Sequence, residues 1–183
     1  MSGTVLLVRH PPVALAWRQR CYGRADMGWS RAGLAMARHL AEDLAARPID
    51  AIVHSGARRT ARLAAMIARR SGVPAHVDAG WLERDFGTWE GRTWQAIWRE
   101  TGDLMDRMMT DPAGFGPGGG ETGRDLSERA CAAWERLPMA GTTLVIAHGG
   151  PIAAVRAWRA GAPLEAMVRF IPACGEVVEV LRT

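Results

Sequence analysis

Lysine and asparagine are absent from this chain of 183 residues, and all 23 basic side chains are arginine. Genomic base composition explains that skew more simply than function does. Cysteine is sparse. Cys21, Cys131 and Cys174 are odd in number, widely spaced and without a CxxC pair, which argues against a disulfide framework and a thiolate zinc site. Long apolar runs are missing too, and none approaches membrane-spanning length. The chain reaches a strand pattern by Thr4 without the charged start, apolar stretch and cleavage site of a signal peptide. A soluble, cytoplasmic protein with no membrane partner is expected. Clustered positive charge is also lacking. The net charge of +4 is spread along the chain, which suits an anionic small molecule better than nucleic acid, whose binders favour a basic stripe with interleaved aromatics.

What is present is enough apolar material for a core. The apolar share is 48%, at a length that predicts one domain, residues 1–183. Strand and helix patterns alternate. Residues 4–8, 51–53, 75–78 and 143–147 read as strands, as do 168–171 and 176–181, the last alternating Val and Glu like an edge. Residues 31–46 (with Ser30 as N-cap), 57–70, 93–109, 127–137 and 151–160 read as helices. This alternation predicts a three-layer α/β/α sandwich on a mostly parallel sheet. Active residues should then lie in loops at the carboxyl ends of the strands.

Those loops carry a consistent set of side chains. Arg9-His10-Pro11 leaves the first strand, and His148-Gly149-Gly150 leaves the run 143–147. Between them come His54-Ser55-Gly56-Ala57-Arg58-Arg59, which opens a helix, and Trp81-Leu82-Glu83-Arg84-Asp85. Two imidazoles, arginine forks and a helix N-terminus suit a dianionic phosphate. A neutral imidazole can attack phosphorus to form phosphohistidine. Arg9, Arg59 and His148 can stabilise the equatorial oxygens, and Glu83 can protonate the departing oxygen. This chemistry needs no metal and no cofactor, and no carboxylate cluster stands ready to hold an ion. Arg58 competes with Arg59 for its role, and Asp85 and Glu90 compete with Glu83.

Taken together the motifs resemble the histidine phosphatase superfamily, the phosphoglycerate mutase-like proteins, over nearly the whole chain. Arg9-His10 is similar to its N-terminal R-H. Cys21-Tyr22-Gly23-Arg24-Ala25-Asp26 and Ser30-Arg31-Ala32-Gly33 are similar to its YGR-x-D and L-S-x-x-G segment. Ser55 to Arg59 resembles its S-x-x-x-R loop, and Glu83 to Gly91 resembles E-x-x-F-G-x-W-E-G. Gly119-Gly120-Glu121-Thr122 and His148-Gly149 complete the order. The Cys-Tyr-Gly-Arg segment and the short length look most like the bacterial branch that includes α-ribazole phosphatases. The resemblance implies a metal-independent phosphomonoesterase acting on a small phosphorylated metabolite. It implies His10 as nucleophile, Glu83 as acid and then base, and Arg9, Arg59 and His148 around the phosphate. Gly149 is a further candidate phosphate ligand, and Cys21, Tyr22, Gly23 and Arg24 are candidate substrate contacts.

Three features depart from the family pattern. Pro11 stands where Gly is usual and removes one amide donor. Val13 and Ala16 stand near positions that are usually polar, and Leu63 replaces a Thr. The proposed nucleophile, acid and second histidine are intact, so activity with altered substrate preference is expected. The alternatives are a phosphoglycerate mutase-type transferase, which usually takes a longer lid, and a non-catalytic phosphate-ligand protein on the same fold. Among the eight tryptophans, Trp94, Trp98 and Trp134 fall at helical spacings and read as core. Trp17, Trp29 and Trp89 sit near active loops and are candidates to meet an apolar leaving group.

Overall fold

The computed structural model describes residues 3–182. Its sheet has five strands, β1 (Gly3–Arg9), β2 (Ala51–His54), β3 (Ala75–Val77), β4 (Thr142–Ala147) and β5 (Val177–Arg182), in the order β3-β2-β4-β1-β5. All neighbours are parallel except β5, which runs antiparallel along β1. The two central strands are almost wholly apolar because helices cover both of their faces. The edge strand β5 keeps Glu179 and Leu181 exposed.

Alternation along β1 sends successive side chains into two separate layers. Leu6 and Val8 join Leu144 and Ile146 beneath α1 (Arg31–Ala45) and α2 (Arg58–Ser71). Val5 and Leu7 join Val145 beneath α5 (Gly123–Glu135) and α6 (Gly149–Arg159), where Trp134 and Ile152 complete the packing. Local signals set the helix ends. The Ser30 side chain accepts from the Gly33 amide at the start of α1, and Gly72 closes α2 in the left-handed region at φ 77°. Among the described residues, no helix is long and apolar enough to cross a membrane.

Three expectations need correction. The helix expected over 93–109 is broken into α3 (Trp94–Thr101), a 3-10 turn (Gly102–Asp106) and the short α4 (Arg107–Thr110). Gly102 adopts φ 52° and ψ −132°, which ends the first piece. Helix α5 starts at Gly123, ahead of the expected Ser127. Thr122 and Asp125 form a reciprocal capping box, and that moves the start forward. Residues 168–171, expected as a strand, form instead the end and C-cap of a 3-10 stretch (Leu164–Phe170) packed on α6. A four-residue apolar run does not distinguish strand from helix by periodicity. Here the edge beside β1 is already taken by β5, and Arg156 Nη1 donates to the Phe170 carbonyl at 2.7 Å.

The loop leaving β1 is pressed onto the start of α1. The Ser30 amide donates to the Pro12 carbonyl at 3.0 Å, and a Cβ at Gly33 would collide with that same carbonyl oxygen. Gly33→Ala must therefore shift either the helix or the loop that carries His10. A stability loss of about 1–3 kcal/mol is expected from such overpacking, measured by urea denaturation.

Candidate active site

Strands β1 and β4 end in register, with Arg9 opposite Ala147. The next residue of each strand is a histidine, and the His10 amide donates to the Ala147 carbonyl at 3.0 Å. The two imidazoles thus leave the sheet side by side. Their ring centroids are 5.2 Å apart at an interplanar angle of 64°. His10 is 1% exposed and His148 0%.

The protonation pattern of His10 is set by its partners. Its Nδ1 lies 2.8 Å from the Pro11 carbonyl oxygen. A carbonyl only accepts, so Nδ1 carries the proton and Nε2 holds a free lone pair. That Nε2 is buried and has no hydrogen-bond partner. Burial, then the charge of Arg59, lowers the pKa of His10 from 6.5 to about 3, against the opposing pull of the Pro11 carbonyl. The ring is therefore a neutral base at physiological pH.

His148 is set by a chain of hydroxyls. Thr60 Oγ1 donates to the Ala57 carbonyl at 2.8 Å. Its proton is then committed, so the 2.8 Å contact between Ser55 Oγ and Thr60 Oγ1 has Ser55 as donor. Ser55 Oγ must in turn accept from His148 Nε2, also at 2.8 Å. The neutral ring consequently holds its proton on Nε2 and leaves Nδ1 bare, buried and without a partner. Burial and then the charge of Arg59 hold the pKa of His148 well below the usual range. To donate to a phosphate oxygen from Nδ1, this ring must first gain a proton.

The cations stand around these rings. Of the two candidates in the second loop, Arg58 is exposed, whereas Arg59 is 1% exposed. Arg59 donates to the carbonyls of Gly23 at 2.6 Å and Ala25 at 2.8 Å, and its Nε has no partner. Arg9 donates from Nη1 to the Pro172 carbonyl at 2.7 Å, and its buried Nε is likewise unpartnered. Glu83 Oε1 accepts from the amides of Arg84 at 2.9 Å and Gly150 at 3.1 Å. The second amide lies in the first turn of α6, where the helix dipole favours a carboxylate. A side chain at Gly150 would collide with that carboxylate, and a Cβ at Gly149 would stand 3.4 Å from Arg9 Cζ.

A cavity of about 480 Å³ opens above this group. Its floor includes Arg9, Tyr22, Gly23, Glu83 and Gly149. Tyr22 bridges the cavity and the buried groups, with its ring 6.5 Å from that of His10 and 5.5 Å from Arg59 Cζ. Tyr22 and Gly23 therefore reach the cavity. Cys21 and Arg24 do not line it. Cys21 faces inward against Trp89, Ile97 and Phe115, and burial, then the nearby Glu90 carboxylate, pushes its thiol up to about 12. Arg24 turns to Asp85 and Glu121, at 3.3 and 3.4 Å. A turn at Gly23, with φ 22°, separates Tyr22 from Arg24.

Glu90 is also used structurally. It accepts from the amides of Arg24 and Ala25 at 2.8 and 2.7 Å, which shapes the loop that meets Arg59. His54 accepts from the Gly56 amide at 3.1 Å and stays outside the group. The tryptophan expectation reverses in part. Trp89 is buried in a small core, and Trp17 and Trp29 do not line the cavity, whereas Trp94 does. Trp98, expected in the core, is exposed. Sequence reasoning missed Thr60 entirely. Its only signal was a hydroxyl one residue after Arg59. Among the described residues, no group of three or more His, Cys, Asp or Glu forms a metal-binding set.

Comparison with known proteins identifies a family. The sequence profile described as "Histidine phosphatase superfamily (branch 1)" matches residues 5–182. The bifunctional protein Rv2228c of Mycobacterium tuberculosis is 32% identical over 152 residues, which are 81% of this chain and 42% of that protein. The chain thus spans less than half the length of that relative. The glucosyl-3-phosphoglycerate phosphatase of Mycolicibacterium vanbaalenii is 29% identical over 172 residues, 88% of this chain and 76% of the relative. The crystal structure of the α-ribazole phosphatase from Shigella flexneri superposes with a TM-score of 0.82 at 21% identity, over 96% of this chain and 89% of that one.

Two outcomes are expected from the buried imidazoles. The pKa of His10 when folded, about 3, lies below the ordinary 6.5, so between those values the unfolded chain binds a proton that the folded one refuses. The contribution is full above pH 6.5 and is lost as pH falls toward 3, at up to about 1.4 kcal/mol per pH unit. His148 acts with the same sign. Urea denaturation at about pH 7 and about pH 4.5 should show this slope, and it should flatten when both His10 and His148 are replaced by Gln. Binding of phosphate dianion should draw about one proton onto His148. Calorimetric titration at about pH 8.5, in buffers of differing ionisation enthalpy, measures that uptake. In Ser55→Ala the ring is free to change tautomer, and the uptake should largely vanish.

Proposed function

The chain belongs to the histidine phosphatase superfamily, branch 1, and on that footing we propose that it hydrolyses a small phosphorylated metabolite through a phosphohistidine on His10. One observation carries the reading. The Pro11 carbonyl holds the proton of His10 on Nδ1, which leaves a neutral, unpartnered Nε2 among Arg9, Arg59 and His148. A buried ring nitrogen without a partner is costly, and a role as nucleophile accounts for it. The exchange of Gly for Pro at this position is compatible, because the bond that orients the ring uses the carbonyl and not the missing amide.

In the first step the Nε2 lone pair attacks phosphorus, a P–N bond forms and the P–O bond to the leaving group breaks. Glu83, after taking a proton from the ester monoanion or from solvent as the substrate binds, gives that proton to the departing oxygen. Arg9, Arg59 and protonated His148 offset charge on the three equatorial oxygens. In the second step the Glu83 carboxylate takes a proton from water as its oxygen attacks phosphorus. The P–N bond breaks, releasing phosphate and restoring His10 and the acid. A non-catalytic binding protein would have no need of the bare Nε2.

Acid-labile label from a labelled phosphoester should be trapped on His10 after rapid quenching. His10→Ala should abolish both label and turnover. Glu83→Gln should lower kcat by about 10²–10⁴ for a poor alkoxide leaving group while still trapping phosphoenzyme. Turnover that survives in His10→Ala would overturn the assignment. Isomerised ester instead of free phosphate would make the protein a mutase.

A further inference from the structure

The phosphate end of the cavity says nothing about what is esterified to it; the walls do. We infer that the leaving group is a bulky, apolar, ring-bearing alcohol and not a sugar, an inference that rests on the phosphomonoesterase reading above. The walls include Phe86, Trp94, Met109, Leu126, Val168 and Ile171. They contain no Ser, Thr, Asn, Gln or His. The chain as a whole has no asparagine and two glutamines, Gln19 and Gln95, neither of which lines this cavity.

A sugar leaving group carries several hydroxyls, each of which loses water on entry. Tyr22 and Trp94 are the neutral side-chain hydrogen-bonding groups among the lining residues, so most of that loss is uncompensated. The charged lining residues are poor substitutes. Arg20 donates to the carbonyls of Ala16 and Gly91, and Arg84 to those of Glu121 and Phe115. Arg18 and Glu165 are exposed, so a hydrogen bond from either to a hydroxyl competes with water. Glu83 is already engaged with the amides of Arg84 and Gly150.

Two further observations favour an apolar occupant with a ring. Phe86 and Trp94 meet edge to face at 5.9 Å, an arrangement that a third aromatic ring can extend. Met109, Val168 and Ile171 line the cavity yet remain 45%, 42% and 42% exposed. These apolar groups have no covering element within the described fold, and a ligand seated on the phosphate site would remove them from water. The volume of about 480 Å³ is ample for a fused ring on a short linker.

The test compares alkyl phosphates whose leaving oxygens have similar acidity, so that chemistry does not mask recognition. Naphthylethyl phosphate, glycerol phosphate and glucose phosphate serve as the panel. For the intact chain, kcat/KM for the naphthylethyl ester should exceed that for either polyol ester by about 30-fold or more, as expected for the apolar area the ring buries. The double variant Met109→Gln, Val168→Thr changes only exposed side chains. It should shrink that gap by about fivefold or more, through a fall in kcat/KM for the naphthylethyl ester. Equal or better turnover of a polyol ester by an active enzyme overturns this inference and leaves the phosphatase reading intact. A gap unchanged in the double variant removes these walls as its source. Failure to hydrolyse any ester, with no label on His10, sinks both.

Discussion

The parallel pairing of β1 with β4 is the constraint on which the rest depends. These strands lie 138 residues apart by the difference of their paired positions, Arg9 and Ala147, yet they finish level with one another. A slip of one residue would turn one imidazole into the opposite layer, because side chains alternate across a sheet. The register is held by apolar packing on both faces, with Leu6 and Val8 on one side and Val5 and Leu7 on the other. The geometry of two histidines is thus an output of core packing. The antiparallel β5 reinforces it, since the Arg9 amide donates to the Glu176 carbonyl and the Arg9 carbonyl accepts from the Gly175 amide.

Burial then gives these groups their chemical character. In water an imidazole is half protonated near its ordinary pKa of about 6.5 and exchanges partners freely. Here, two rings and two guanidinium groups are held together with polar atoms left unpaired, namely His10 Nε2, His148 Nδ1, Arg9 Nε and Arg59 Nε. Each unpaired atom costs free energy, and together they describe an electropositive, partly unsatisfied space that an anion with several acceptors would complete. The rest of the fold must offset that cost, and the two large apolar clusters on either face of the sheet are the means. The hydroxyl chain from Thr60 through Ser55 to His148 adds a constraint of a different kind. It decides which nitrogen carries the proton, and so it couples anion binding to proton uptake.

Much of this was legible in the residues. Long apolar runs ending in Arg-His and in His-Gly-Gly identify buried strands and the loops that leave them, and the order of motifs points to Arg59, which lies beside the two rings, and to Glu83, which lines the adjoining cavity. What was hidden depends on direction and on short-range geometry. Cys21 and Tyr22 are adjacent, yet one faces the core and the other the cavity, and composition does not say which. Trp94 and Trp89 traded expected places for a similar reason. A 3-10 turn at Gly87–Trp89 directs Trp89 inward, whereas the start of α3 leaves Trp94 at the cavity wall. The break at Gly102 was missed because apolar periodicity continues through it, and only the unusual backbone angles of a glycine interrupt the helix.

The two parts of the site are restrained to different degrees, and this bears on how the fold can serve different substrates. The groups around the two histidines hang from strand ends and from the first turns of α2 and α6, whose backbones are locked by the sheet and its cover. The outer walls come from α3, from the four-residue α4 and from the 3-10 stretch Leu164–Phe170, none of which pairs with the sheet. Substitution in those outer pieces changes volume and polarity where packing constraints are weakest, so it costs little stability. Substitution at the strand ends disturbs register, buried charge and proton position at once. Divergence in the leaving group is therefore physically inexpensive, whereas divergence in the chemistry at phosphorus is not. An apolar outer wall above an arginine-rich floor is the form that this asymmetry takes in a chain whose hydrogen-bonding repertoire lacks both lysine and asparagine.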